Sequence, residues 1–308
     1  LRQTNPAWLQ RLAQRPIVAI HDLLVDILTN TPELHPAKLE GLGLKPTVLL
    51  LLLSPSAGAR KYAIEYARAH ASDLPANEVV DYALKGQNDT RAWALSVLEA
   101  RNAKTIGLPL FSKLLAEQAT SAWAATRLEA HFDRNDLTDA FFIELVYGAH
   151  QQREWARKYL AERVKVSEQL ATFIKALFAD PRRQDLSNAS NLVRFARQLM
   201  PLVAPEHLGA AWLLPLLTEQ PFRPMADEVL RRAKTLPGLD LEAVKVFVFD
   251  RSIRELALHL LSTHATFKAI GLPWLLALAR RTDPSLSGFA TRMLLGQVDP
   301  RDFGDGDL

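Results

Sequence analysis

The sequence predicts an all-α fold assembled from repeated helix pairs, and three features of the 308-residue chain carry that expectation. An alanine recurs at Ala63, Ala94, Ala124, Ala156, Ala196, Ala226, Ala257 and Ala290, in steps of 31, 30, 32, 40, 30, 31 and 33 residues. Immediately before it stands a bulky apolar residue: Tyr62, Trp93, Trp123, Trp155, Phe195, Met225, Leu256 and Phe289. Four positions after it come Ala67, Leu98, Leu128, Leu160, Met200, Leu230, Leu261 and Leu294. A helix puts residues four apart on one face, and the alanine lets a neighbouring helix come close. Two positions after the alanine every residue is polar (Glu65, Ser96, Thr126, Lys158, Gln198, Glu228, His259, Arg292), so that side faces water.

Three positions before the alanine, five copies carry arginine: Arg60, Arg91, Arg153, Arg223 and Arg254. A cation in the first turn opposes the helix dipole and needs a partner, for which Asp89, Glu219 and Asp250 stand just upstream. A polar turn followed by arginine, a large apolar residue and a small one resembles the second helix of a HEAT repeat, over roughly residues 44–298. That resemblance implies a right-handed α-solenoid of about nine antiparallel pairs, used for scaffolding or partner recognition rather than catalysis. Three copies depart from the pattern with Ser121, Val193 and Ser287, where the usual side-chain link is expected to be missing.

Composition agrees with a long helical core. Hydrophobic residues make up 48% of the chain, and Leu and Ala outnumber the β-branched residues that strands prefer. A repeat array also escapes the size limit on a single core, because each unit packs only on its neighbours. The absence of cysteine removes disulfides and thiolate metal sites. The longest aliphatic run, Val48 to Leu53, is far short of the roughly 20 residues that span a bilayer, so no membrane role is expected. The chain opens at Leu1 without a charged leader, and reads as a segment of a longer, cytoplasmic protein. A net charge of +3 is too mild to announce nucleic acid.

In chain order, residues 1–43 form a degenerate capping pair, with one helix over Pro16 to Leu28 and a shorter one near His35 to Leu42. Residues 44–298 form the array. Its first helices are expected at Pro46 to Leu53, Ala76 to Leu84, Pro109 to Glu117, Thr138 to Tyr147, Ser167 to Phe178, Leu208 to Leu217, Leu241 to Phe249 and Pro273 to Arg280. Gly43, Gly107 and Gly271 each precede such a helix, two or three residues ahead of Pro46, Pro109 and Pro273; glycine makes the turn and proline suits the first helical turn. The long step before Ala196 places a polar, flexible insertion loop at 180–190, on the side of the array where binding loops collect. Residues 299–308, rich in Asp and Gly, read as a tail.

No Gly-rich phosphate loop and no His-Glu-x-x-His pair occurs, so neither a cofactor nor a catalytic residue is expected. The eight histidines are scattered and read as surface or turn residues, and the Gly304 to Asp307 stretch lacks the further acids of a calcium loop. The most suggestive polar feature is basic. Arg153, Arg157 and Lys158 share one helix, Arg182 and Arg183 lie in the insertion, and Arg194, Arg197, Arg231 and Arg232 follow on later second helices. Stacked about 8 to 10 Å apart, such helices would align these cations into a strip that meets phosphates, although Glu154, Glu162, Asp185, Asp227 and Glu228 are interspersed.

Two functions follow. The first is a non-enzymatic scaffold that holds a protein or peptide along the second helices. The second is DNA binding through the basic strip. Helical-repeat DNA glycosylases of the AlkD type use aromatic and acidic residues on a basic concave surface, and Trp93, Trp123 and Trp155 in successive copies supply a column of aromatics. The same position is Tyr, Phe, Met or Leu elsewhere, which is the behaviour of a core site.

Overall fold

A computed structural model describes residues 5–297, and among these the chain is all-helical, with no strand. Contacts divide it into two compact units, Leu1–Trp155 and Ala156–Leu308, the division falling inside helix His150–Arg163.

The first unit opens with helices Pro6–Ala13 and Val18–Asn30. Helix Pro6–Ala13 has no counterpart in the sequence reading, and the segment expected to be helical near His35 forms only the 3-10 turns Pro32–Leu34 and Pro36–Lys38, each started by a proline. Pairs follow in the expected places. Lys45–Leu50, continued by the 3-10 turn Leu51–Leu53, precedes Ala57–His70; Ala76–Lys85 precedes Asn88–Glu99; Leu108–Ala116 precedes Gln118–His131; Asp139–Tyr147 precedes His150–Arg163. Within this unit Ala76–Lys85 packs on Leu108–Ala116, and Ala57–His70 packs on Asn88–Glu99, so first helices meet first and second meet second.

The second unit holds Ser167–Ala179, Leu186–Leu199, Ala210–Leu216, Arg223–Arg232, Leu241–Phe247, Arg254–His264, Leu272–Ala279 and Pro284–Gln297. The helix expected over Leu208 to Leu217 is broken at Gly209, whose φ of +76° ends the short helix Pro205–Leu208 and starts the next. Gly107 and Gly271 do the same after Ala103–Ile106 and Phe267–Ile270. A side chain is strained in that backbone region, which is why glycine holds all three corners. The insertion at 180–190 is ordered rather than a free loop. The Asp180 carboxylate accepts the Arg182 N–H to start the 3-10 turn Pro181–Gln184, and Asp185 caps Leu186–Leu199. That helix begins ten residues before Ala196, against six before Ala63, Ala94, Ala124, Ala156 and Ala290, so the extra chain is shared between a longer helix and the 3-10 turn. The expected tail, 299–308, lies outside the described residues.

All eight repeat alanines are buried, none more than 2% exposed. A second register, not apparent from sequence, runs four positions earlier: Ala59, Thr90, Thr120, Gln152, Leu192, Phe222, Ile253 and Leu286 are all buried as well. Its polar members donate to main-chain carbonyls of first helices. Thr90 Oγ1 donates to Leu52 O (2.7 Å), Thr120 Oγ1 to Leu114 O (2.6 Å), and Gln152 Nε2 to Ser112 O (2.8 Å). Thr90 and Gln152 reach back 38 and 40 residues, to the preceding pair.

The arginines three positions before the alanine resolve their conflict with the dipole by turning away from their own helix. Arg60 donates to Ser54 O and Pro55 O, Arg91 to Ala83 O and Gly86 O, Arg153 to Gly148 O, Arg223 to Leu217 O, and Arg254 to Val248 O. Each acceptor lies at the carboxyl end of the first helix of the same pair, where a cation is favourable. The acids were expected to serve the arginine just downstream, and this is corrected. Asp89 pairs with Arg60 of the pair before it (2.8 Å), Glu219 pairs with Arg183 (3.1 Å), and Asp250 accepts from Ser252, which in turn takes Arg223 (2.6 Å). The acid at the start of a second helix therefore serves the preceding copy. Nor is every arginine-free copy unlinked: beside Ser121, Thr120 supplies the carbonyl's donor.

Candidate functional site

The side chains two positions after the alanine mark the outward face of the second helices. Seven of the eight are exposed, and His259 is half-buried. Beside them the bulky residues are packed. Trp93 and Trp155 are 3% and 7% exposed, and Trp123 is half-buried. Trp155 stacks on Phe142 with centroids 6.0 Å apart and donates its indole N–H to Glu129 (3.0 Å). Trp123 stacks on Phe111 (6.1 Å), with the Arg127 guanidinium 6.0 Å from its ring. Trp93 meets Tyr82 at 6.1 Å. These indole faces are used within the unit, and each ring contributes packing area rather than a free stacking surface.

The cations of the expected strip are mostly engaged. In the first unit Arg153 donates to Gly148 O. In the second, Arg182 pairs with Asp180 (2.8 Å), Arg183 with Glu219 while lying 5.5 Å over the Phe222 ring, Arg197 with Glu228 (3.1 Å), and Arg231 with Asp227 (3.0 Å). Arg232 reaches back to Met200 O and Val203 O, and Arg157 also has a partner. Lys158 and Arg194 alone among the nine are exposed without such a contact. The sequence singles out Arg232 but not Arg101 and Arg127, which make the same kind of contact near the ends of second helices. Arg101 donates to Leu74 O (2.7 Å), Arg127 to Glu99 O (3.2 Å), and Arg232 as above, each a cation at carbonyls of the preceding pair. Their signal is position: a lone arginine just past the apolar face, where helix-end carbonyls lack partners.

Titration shifts follow these pairs and burial. Asp89 lies below the ordinary aspartate range: burial pushes it up, but the hydrogen bonds from Arg60 and the Thr90 N–H outweigh that. The Lys104 ammonium lowers Asp136 through a hydrogen bond. Burial pushes the Tyr62 and Tyr82 phenols up to about 12. His21, expected at the surface, is buried. Its Nε2–H donates to Ala13 O (3.1 Å) and its Nδ1 accepts from the Ser54 hydroxyl (2.6 Å), which fixes the tautomer. Among the described residues no group of three or more His, Cys, Asp or Glu side chains could hold a metal ion, and no helix is long and apolar enough to cross a membrane.

Three grooves open on the second-helix surface. One of about 380 Å³ lies between Ala57–His70 and Asn88–Glu99. One of about 260 Å³ involves Arg223–Arg232 and Arg254–His264, and one of about 360 Å³ lies between Arg254–His264 and Pro284–Gln297. No family of sequences, no curated protein and no solved structure matches the chain.

Proposed function

We propose that this protein is a HEAT-like, right-handed α-solenoid of about nine helix pairs that acts as a non-enzymatic scaffold, holding a protein or peptide partner along its second helices. The eightfold alanine register, the buried register four positions earlier and the like-with-like helix packing within a unit support the repeat architecture. The observation that carries the functional reading is the state of the second-helix cations. Arg182, Arg183, Arg197 and Arg231 are neutralised by Asp or Glu, and Arg153 and Arg232 are spent on main-chain carbonyls. A surface so mixed in sign has little field to attract a polyanion, and suits a partner of varied polarity.

The opposing reading is DNA binding, with base excision as its strongest form. Labelled double-stranded and single-stranded DNA titrated across a salt series separates the two. The scaffold reading expects at most weak association at low salt, with a shallow dependence on salt. Tight binding whose logarithm falls steeply with the logarithm of salt, and which weakens in a Lys158→Glu/Arg194→Glu variant, would sink the scaffold reading and call for an excision assay.

A further inference from the structure

We infer that the groove between helices Ala57–His70 and Asn88–Glu99 is a peptide site for a segment that presents a carboxylate beside an aliphatic side chain; this rests on the scaffold reading and names its ligand chemistry. One residue of the groove departs from the repeat. Four positions after the repeat alanine, seven copies carry Leu or Met, and the first carries Ala67. The cavity, about 380 Å³, is lined on its apolar side by Ala67, Ala71, Val97 and Ala100, with Trp93 closing one wall. That lining is matched to a Leu, Ile or Val side chain, whose burial drives docking.

Charge supplies the second half of the recognition. Arg68 and Arg101 line the same groove, and no acidic residue does. Arg68 is exposed and makes no ion pair or hydrogen bond. Arg101 commits one nitrogen to Leu74 O, which leaves other N–H groups of its guanidinium for a ligand. Two guanidiniums beside an apolar cleft favour a carboxylate, which arginine binds in bidentate fashion. The other two grooves differ: Glu255 and Arg292 share one, and in the other Arg231 is neutralised by Asp227. The exposed Glu65 and Glu99 on the same two helices dilute the positive field, which suits a single carboxylate held by direct pairing better than a polyphosphate that depends on the field.

The test is a selection of displayed random 12-residue peptides on the purified chain. The most enriched peptide, labelled with fluorescein, is then titrated by anisotropy against wild type, Arg68→Glu and Ala67→Leu. Enriched peptides are expected to place Asp or Glu next to Leu, Ile or Val, and to bind Arg68→Glu about tenfold more weakly or worse. Ala67→Leu, which refills the cleft, should weaken them as well. Arg68→Glu alters an exposed, unpartnered side chain and costs only the helix-dipole contribution of the last turn, so the variant should stay folded and its binding loss is interpretable even if Ala67→Leu fails to fold. Peptides without an acid, peptides that bind Arg68→Glu as tightly as wild type, or no enrichment at all would overturn the inference. Peptides that bind independently of these two residues would leave the scaffold reading standing, whereas steeply salt-dependent DNA binding would remove that reading itself.

Discussion

Four positions before the repeat alanine, the two units meet the same burial in different ways. In the first, after Ala59 in the opening copy, Thr90, Thr120 and Gln152 are buried and hydrogen-bonded to carbonyls of first helices. In the second, Leu192, Phe222, Ile253 and Leu286 are buried with nothing to donate. Phe222 packs on Phe178 of Ser167–Ala179, with centroids 5.1 Å apart. The polar solution is directional: Thr90 and Gln152 each specify a carbonyl of the preceding pair, so a shift between pairs would leave a buried donor unpaired. The apolar solution gains more from area and less from geometry. The position is therefore defined by burial, and its chemistry is free to vary as long as the group placed there is satisfied.

The contrast predicts different failure modes. Phe222→Ala should be the most costly change, at about 3–5 kcal/mol, because an aromatic side chain is removed from packed surroundings. Denaturant unfolding measures it, and a cost near that of a surface substitution would show that the ring is not part of the core. Thr90→Val and Thr120→Val keep the shape and remove the donor, leaving a buried carbonyl without it; each should cost about 1–3 kcal/mol. The matched change in the second unit, Ile253→Val, should cost about 0.5–1.5 kcal/mol. If the threonine variants prove the milder, the hydroxyls are incidental.

The smallest effect is electrostatic. Asp89 is held below the ordinary aspartate value of 3.8, so its contribution is present above that value and fades as pH falls through its lower folded value. Asp89→Asn should therefore be less stable than wild type at neutral pH by under about 1 kcal/mol, since the pair with Arg60 is partly exposed. The gap should close in acid. A gap that is constant across pH would mean the Arg60 link is not what Asp89 contributes.

Much of this was legible in the chain. Helix positions followed from the period, and the first helices expected at Ala76, Thr138 and Ser167 begin within a residue of where the spacing put them. The polar members of the second register were not legible, because a threonine or glutamine among apolar residues looks like a surface position until its carbonyl partner is known. Asp89 and Glu219 misled because sequence shows neighbours along the chain, while their partners Arg60 and Arg183 are 29 and 36 residues away. The insertion was misjudged for a similar reason: its polar composition hid two aspartate caps and the contacts of Arg183 with Glu219 and Phe222. The cations of the expected strip are visible in the sequence, but their acids are what decide the field, and pairing cannot be read from composition.

The central claim is that the recurring alanine marks where a second helix meets its neighbours, and one pair of variants tests it most directly. Ala124 is buried and Thr126, two positions on in helix Gln118–His131, is exposed. Leucine at each places the same side chain on the same helix, once inside and once outside. Unfolding midpoints should show Ala124→Leu losing about 1–3 kcal/mol through overpacking and Thr126→Leu staying within about 0.5 kcal/mol of wild type. Equal losses, or a larger loss at Thr126, would contradict the register from which the whole account is built.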